Sequence, residues 1–320
     1  MSMLRISAFA LTATLIWVTP SPAIGQAWVP VKNSLSASVD YTFGPSDRII
    51  ESDGAPDIDV PGLSNHTVAL GVEYTPPLKN LAISLQVPIV TTRFAPDNFD
   101  PTILSPHGRY DDGSFHTVLQ DLRAVIRYQV LPNDIVAVAP HVGVSTPMSD
   151  YETLGFAGAG RGLSQLHLGL GVGRYFTTGP LRNFYLHMLF EYSMVERYKT
   201  AFIETEQYNQ DRIDLKGIVG YFINDDLEVN LGFDMRRAFD GVQFIDLYDD
   251  PDNPDDVPVA EWVSLHHDPL LRESFLLLGA GVTYEVAEGF RFNAVFRYWT
   301  TGENTRDTHV LGAGFAWDIM

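Results

Sequence analysis

Asp226–Phe239, DLEVNLGFDMRRAF, decides the fold through its parity. Leu227, Val229, Leu231, Phe233 and Met235 fall on one side of an extended chain, and Glu228, Asn230, Gly232, Asp234 and Arg236 on the other, because successive strand side chains point to opposite faces. One face is oily and the other charged. Gly289–Thr300 repeats the pattern, with Phe290, Phe292, Ala294, Phe296 and Tyr298 against Arg291, Asn293, Val295, Arg297 and Trp299. Asn33–Phe43 does so again, with Leu35, Ala37, Val39, Tyr41 and Phe43 against Ser36, Ser38, Asp40 and Thr42. A soluble sandwich alternates too, with its apolar face turned inward. The connections and the aromatic residues therefore have to separate the two.

Read outward from these stretches, period two gives twelve segments: Asn33–Phe43, Asn65–Pro76, Asn80–Thr92, Ser114–Val130, Asp134–Thr146, Leu163–Phe176, Arg182–Tyr198, Tyr208–Ile223, Asp226–Phe239, Arg272–Val286, Gly289–Thr301 and Asp307–Ile319. Their connections alternate. Pro77–Lys79, Leu131–Asn133, Thr177–Leu181, Asn224–Asp225 and Ala287–Glu288 are tight turns; Gly44–Ser64, Arg93–Gly113, Pro147–Gly162, Lys199–Gln207, Asp240–Leu271 and Gly302–Arg306 lie at the other end. Short periplasmic turns opposite longer external loops are the arrangement of outer-membrane barrels. On the apolar parity, Tyr74, Tyr128, Phe184, Tyr221, Tyr284, Phe290 and Trp317 fall at the turn ends of their strands, and Tyr41, Phe43, Tyr192 and Tyr298 at the loop ends. Outward rings in two belts belong at two membrane interfaces. The pattern predicts an all-β chain, a closed antiparallel transmembrane β-barrel of twelve strands, with ten or fourteen also compatible.

The beginning of the chain predicts an export signal over residues 1–27. Arg5 precedes the apolar run Ile6–Val18, then Pro20, Pro22 and the small residues Ala23, Gly25 and Ala27, the order found in a secretory signal peptide cleaved near residues 25–27. Residues 28–320 would then form the barrel. The run is shorter than the ~20 apolar residues a helical span needs. The chain has no cysteine, which removes disulfides, thiolate metal sites and Cys nucleophiles. The formal charge of −19 argues against a nucleic-acid partner, whose phosphates demand Lys and Arg.

The polar parity places Asp40, Glu73, Asp121, Arg123, Arg127, Glu191, Asp214, Lys216, Glu228, Asp234, Arg236, Arg291 and Arg297 in the lumen, with His141, His167 and His187 beside them. Seven acids face six bases. Opposite charges confined in a narrow tube pair across strands, since an unpaired ion there is costly. Such a lumen is either a ladder of structural ion pairs or a selective passage. Lumen parity also holds Gly169, Gly171, Gly173, Gly279 and Gly281, small residues that permit curvature or leave open volume.

The negative excess lies in the loops. Asp240–Leu271 holds nine acids and no Lys or Arg. Its Asp249, Asp250, Asp252, Asp255 and Asp256 form a weak Ca²⁺ candidate, lacking the Gly and distal Glu of an EF-hand; a solvated acidic loop accounts for them as well. His266-His267-Asp268 points its imidazoles apart in extended chain, so no metal site is assigned. Enzyme motifs are missing: no His is followed by Ser two residues on, and no G-x-S-x-G, H-E-x-x-H or phosphate-binding Gly loop occurs.

Gln26-Ala27-Trp28-Val29-Pro30 before the first strand, together with Val144-Ser145-Thr146-Pro147-Met148-Ser149-Asp150-Tyr151-Glu152-Thr153-Leu154-Gly155 running into Gly160-Arg161-Gly162-Leu163, resembles the outer-membrane barrels assigned to transport in the phenol meta-cleavage degradation pathway, distant relatives of the long-chain fatty-acid channels. The resemblance implies a non-enzymatic bacterial outer-membrane channel without cofactors, for passive uptake of small hydrophobic or aromatic molecules. Lipopolysaccharide, outer-membrane lipid and the barrel-assembly machinery are the partners such a barrel implies. A structural or surface-interaction barrel with a closed, ion-paired lumen is the alternative, and a lipid-modifying enzyme a third class. Few residues precede Asn33 after the cleavage region, so a gate is expected from the loops or from inward side chains.

Overall fold

The computed structural model describes residues 27–50, 58–95, 110–131, 135–153, 155–199, 207–208, 210–241 and 272–319. Its strands are β1 (Ser34–Ile50), β2 (Ile58–Thr75), β3 (Leu81–Phe94), β4 (His116–Leu119), β5 (Asp121–Tyr128), β6 (Val136–Pro147), β7 (Gln165–Tyr175), β8 (Phe184–Val195), β9 (Tyr198–Lys199), β10 (Gln207–Tyr208), β11 (Arg212–Phe222), β12 (Leu227–Ala238), β13 (Ser274–Ala287), β14 (Phe290–Glu303), β15 (Thr305–Arg306) and β16 (Val310–Asp318). Among the described residues the only helical piece is the 3₁₀ turn Gly179–Leu181. β4 and β5 are two parts of one wall strand, β9 and β10 pair with each other, and β15 adds a short rung beyond the outer end of β1. Every wall strand pairs antiparallel with the next, and β16 returns to β1 from Ser36↔Asp318 to Phe43↔Leu311. The sheet closes on itself as a twelve-stranded antiparallel barrel, the count read from the sequence.

The burial pattern inverts that of a soluble protein. Along β12, Val229 is 38% and Leu231 67% exposed, whereas Glu228, Asp234 and Arg236 are buried. Outward rings at Tyr74, Tyr128, Tyr221 and Tyr284 mark the turn end, and Tyr41 and Tyr298 the loop end, all exposed. Apolar side chains turned outward into water would forfeit the gain of burial; facing lipid they lose nothing. The tight turns form where Asn80 and Gly289 adopt left-handed backbone, φ 66° and 70°, conformations that Asn and Gly reach at least cost.

Three local departures from the period-two reading shape the interior. First, the expected loop Gly44–Ser64 is largely strand: β1 and β2 continue as a hairpin past the belt, with Arg48 opposite Asp59. Second, the segment read as Ser114–Val130 breaks at Gln120. β3 pairs Ile89↔Leu119 but Gln86↔Arg123, so one extra residue sits on the β4–β5 side. The cause lies opposite, where Pro88 has no N–H to donate and Gln120 N instead donates to its carbonyl at 3.0 Å. This bulge turns two consecutive side chains, Gln120 and Asp121, into the barrel, where both are buried. Third, the loop 148–164 folds inward instead of standing outside.

If the oily parity faces hydrocarbon, Leu231→Arg near mid-strand should destabilise the reconstituted barrel by about 2–4 kcal/mol. Denaturant titration in liposomes measures this; an unchanged midpoint would mean that the face is wet.

Candidate functional site in the barrel lumen

Inward parity brings the predicted charges together in pairs between strands of the same part of the wall. Arg123 Nη1 donates to Glu191 Oε1 at 3.0 Å and its Nη2 donates to Oε2, a two-point grip. His141 Nε2 donates to the same carboxylate at 2.8 Å, and His167 Nδ1 lies 3.3 Å from its other oxygen. Arg127 donates to Glu73 at 2.7 Å. Arg236 Nε donates to Asp214 at 2.7 Å, with Arg212 3.5 Å from that carboxylate. Asp234 accepts from Arg297 at 3.2 Å and lies 3.9 Å from Lys216. Asp40 accepts from Asn293 at 3.4 Å, Glu228 accepts from the Tyr185 hydroxyl at 2.5 Å, and His187 is buried. Arg291 stands apart, gripping Asp318 at the turn end.

Among these pairs lies a cavity of about 110 Å³ that opens into the lumen. Ser36, Ser38, Ser84 and Gln86 of β1 and β3 line one side, and Arg123, Glu191, Asp214 and Lys216 of β5, β8 and β11 line the other. Glu73 of β2 and Arg127 of β5 line it as well, so a solute there meets hydroxyls and an amide interspersed with ion pairs. The inward glycines leave less room than their size suggests. A Cβ on Gly169 would sit 2.2 Å from the His141 ring, and one on Gly173 2.2 Å from the Trp28 ring. They are shelves on which neighbouring side chains lie.

The lumen is narrowed towards both of its ends by parts that parity does not reveal. At the turn end, Trp28 enters the barrel, 4.6 Å between ring centroids from Tyr175, which stacks onward to Tyr185 and Phe222 at 5.7 and 6.0 Å. Val29 N donates to Gln129 Oε1 at 2.9 Å. The segment before β1 thus supplies a narrowing ring, which corrects the expectation that only loops and strand side chains would do so. At the loop end, the described residues of 148–164 bury Tyr151, Ala157, Ala159 and Leu163. Tyr151 packs with Val90, Ala159, Tyr110 and Val118, and its hydroxyl donates to Asp121 at 2.5 Å while accepting from Gly162 N at 3.0 Å. Burial, and then the Asp121 carboxylate, raise the Tyr151 phenol above its ordinary value, so it remains an O–H donor across physiological pH. Asp111 accepts from Phe156 N and Ala157 N at 2.8 and 2.7 Å, Gln120 donates to Ala159 O, and Thr92 donates to Ala157 O at 2.7 Å. A buried loop must satisfy its backbone, and these side chains do it.

Several buried partners were missed from the sequence. Arg212 and Glu273 share lumen parity and needed only to be counted; Gln120 required the bulge, for which Pro88 was the visible sign. The weak Ca²⁺ candidates Asp249, Asp250, Asp252, Asp255 and Asp256, the pair His266-His267 and the export segment of residues 1–26 lie outside the described residues.

One arrangement imitates an enzyme. Ser145 Oγ shares a 2.8 Å hydrogen bond with His167 Nε2, whose Nδ1 faces Glu191 and shares another of 2.8 Å with Ser193. Hydrolysis needs substrate at the Ser oxygen. Ser145, His167 and Ser193 are all buried, and neither Ser145 nor His167 borders the cavity. The three form a cross-strand hydrogen-bond ladder over β6, β7 and β8.

The architecture matches solved barrels across nearly the whole chain. An outer-membrane channel from Pseudomonas putida F1 has a TM-score of 0.67 at 9% identity, covering 92% of this chain and 99% of that one. The NanC porin has 0.50 at 8%, covering 88% and 98%, and the beta domain of the Bordetella autotransporter Brka 0.50 at 11%, covering 90% and 100%. Identities this low show a common fold. No protein-family model and no curated protein matches the sequence. The fold defines the class as an outer-membrane β-barrel.

Arg123→Ala should cost about 3–5 kcal/mol, because it leaves Glu191 charged among histidines in a confined interior. Combining Arg123→Met with Glu191→Leu should restore most of the loss. Urea unfolding of the three proteins checks this; unchanged stability in Arg123→Ala together with a shift toward cation selectivity would show that water reaches Glu191.

Proposed function

We propose that the protein is a passive channel of the bacterial outer membrane for small molecules, exported through cleavage near residues 25–27 and inserted by the barrel-assembly machinery. The observation that carries this reading is a cavity left open in a polar lumen that is narrowed towards its two ends by separable parts, a Trp side chain and a folded loop. A barrel that served only as scaffold could fill its bore with side chains throughout. The resemblance of Gln26–Pro30, and of Val144–Gly155 with Gly160–Leu163, to transporters of the phenol meta-cleavage pathway suggests small hydrophobic or aromatic cargo. The lumen refines that class: hydroxyls, an amide and paired ions lining one cavity suit an aromatic ring bearing a polar group over a bare hydrocarbon, since the donors and acceptors there then keep partners. No catalytic role enters this reading.

The closed-scaffold alternative makes the opposite prediction for conductance. In planar bilayers, Trp28→Ala and Asp111→Ala should each raise conductance severalfold over the wild type, and their combination should exceed either alone. Phenol-bearing solutes should then enter proteoliposomes faster than sugars of similar size. Silence from the wild type and all three variants would support the scaffold instead.

A further inference from the structure

The outward surface of β1–β4 at the loop end carries a cation held in a fixed orientation. Arg93 lies on the outward parity of β3, and its guanidinium carbon stands 5.0 Å over the centre of the exposed Phe115 ring. Its Nε donates to Gly113 O at 2.9 Å, which fixes the plane of the group. No carboxylate among the described residues lies within ion-pair distance of it; the adjacent Asp112 is held by Ser114 and His116. One rung below, Phe43 faces His66 and His66 faces Thr91 across the register. The His66 ring stacks on Phe43 at 4.9 Å and its Nδ1 is joined to the Tyr41 hydroxyl at 2.7 Å, leaving Nε2 without a partner among the described residues. Tyr41 belongs to the outer aromatic belt, so the patch sits at headgroup height.

The geometry points to this patch as a binding site for the phosphate of an outer-leaflet glycolipid of the lipid A type. A guanidinium held flat offers two parallel N–H donors to phosphate oxygens, His66 and the Thr91 hydroxyl supply further polar contacts one rung below, and the Phe and Tyr rings seat the sugar and the upper acyl chain. Charge complementarity selects this occupant. The chain has a net charge of −19 and stands among anionic headgroups, so a fixed outward cation with no counter-ion among the described residues finds an anionic partner in the lipid. This inference rests on the membrane location of the barrel and is independent of conduction.

The test uses the full-length protein in detergent, folded as judged by heat-modified gel mobility, with bis-phosphorylated lipid A and its dephosphorylated form as probes in native mass spectrometry. Arg93→Ala should weaken binding of the phosphorylated probe about fivefold, the effect of one basic residue at a headgroup, while the dephosphorylated probe binds both proteins equally weakly. Arg93→Lys should recover part of the loss, and Arg237→Ala, another outward base at the loop end, should bind like wild type. Equal binding of phosphorylated lipid A by wild type and Arg93→Ala, or equal binding of both probes by the wild type, overturns the proposal.

Discussion

Everything in this molecule follows from the pairing of β1 with β16. Inside hydrocarbon each backbone N–H and C=O without a partner costs several kcal/mol, so a sheet that enters a membrane cannot keep an edge. The ladder from Ser36↔Asp318 to Phe43↔Leu311 removes both edges at once. Closure then divides every strand into a lipid face and a lumen face, and the period of two assigns each residue to one or the other without further choice. A register slip of one residue on β12 would send Glu228, Asp234 and Arg236 into lipid, which explains why the alternation is kept so strictly there.

The lumen face inherits a second constraint. Twelve strands enclose a space small enough that opposing side chains meet, so charges in it have to find one another. Glu191 is the hub: Arg123 grips it from β5, His141 approaches from β6 and His167 from β7. Glycine on the neighbouring strand makes these long reaches fit, as where the His141 ring lies over Gly169. The balance of acid and base seen in the sequence is thus a packing requirement as well as an electrostatic one. The cavity survives where Ser and Gln replace charges on β1 and β3.

Closure and strand count were legible because the alternation of parity and the turns between strands are carried by the sequence residue by residue. What escaped reading depends on the chain leaving that rule. Gln120 and Asp121 both point inward only because Pro88 disturbs the pairing opposite them. Tyr151, Ala157 and Ala159 read as loop residues because small, turn-forming neighbours such as Gly155, Gly158 and Gly160 look the same whether a loop stands in water or folds into a barrel. Only the side chains that satisfy its backbone, Asp111, Thr92 and Gln120, distinguish the two, and they are distant in sequence. The place of the Trp28 ring is not legible either, since nothing local in the sequence says that the chain before β1 turns into the lumen.

The central claim is the inverted polarity of the closed barrel, and the cysteine-free chain makes it directly measurable. Single cysteines placed in turn from Leu227 to Arg236 and spin-labelled in reconstituted protein report collision with lipid-soluble oxygen against a water-soluble nickel chelate. The account predicts a period of two, with oxygen collisions highest at Val229, Leu231 and Phe233 and low at Glu228, Asn230 and Gly232. The same period with the phase reversed, or no period at all, would contradict it.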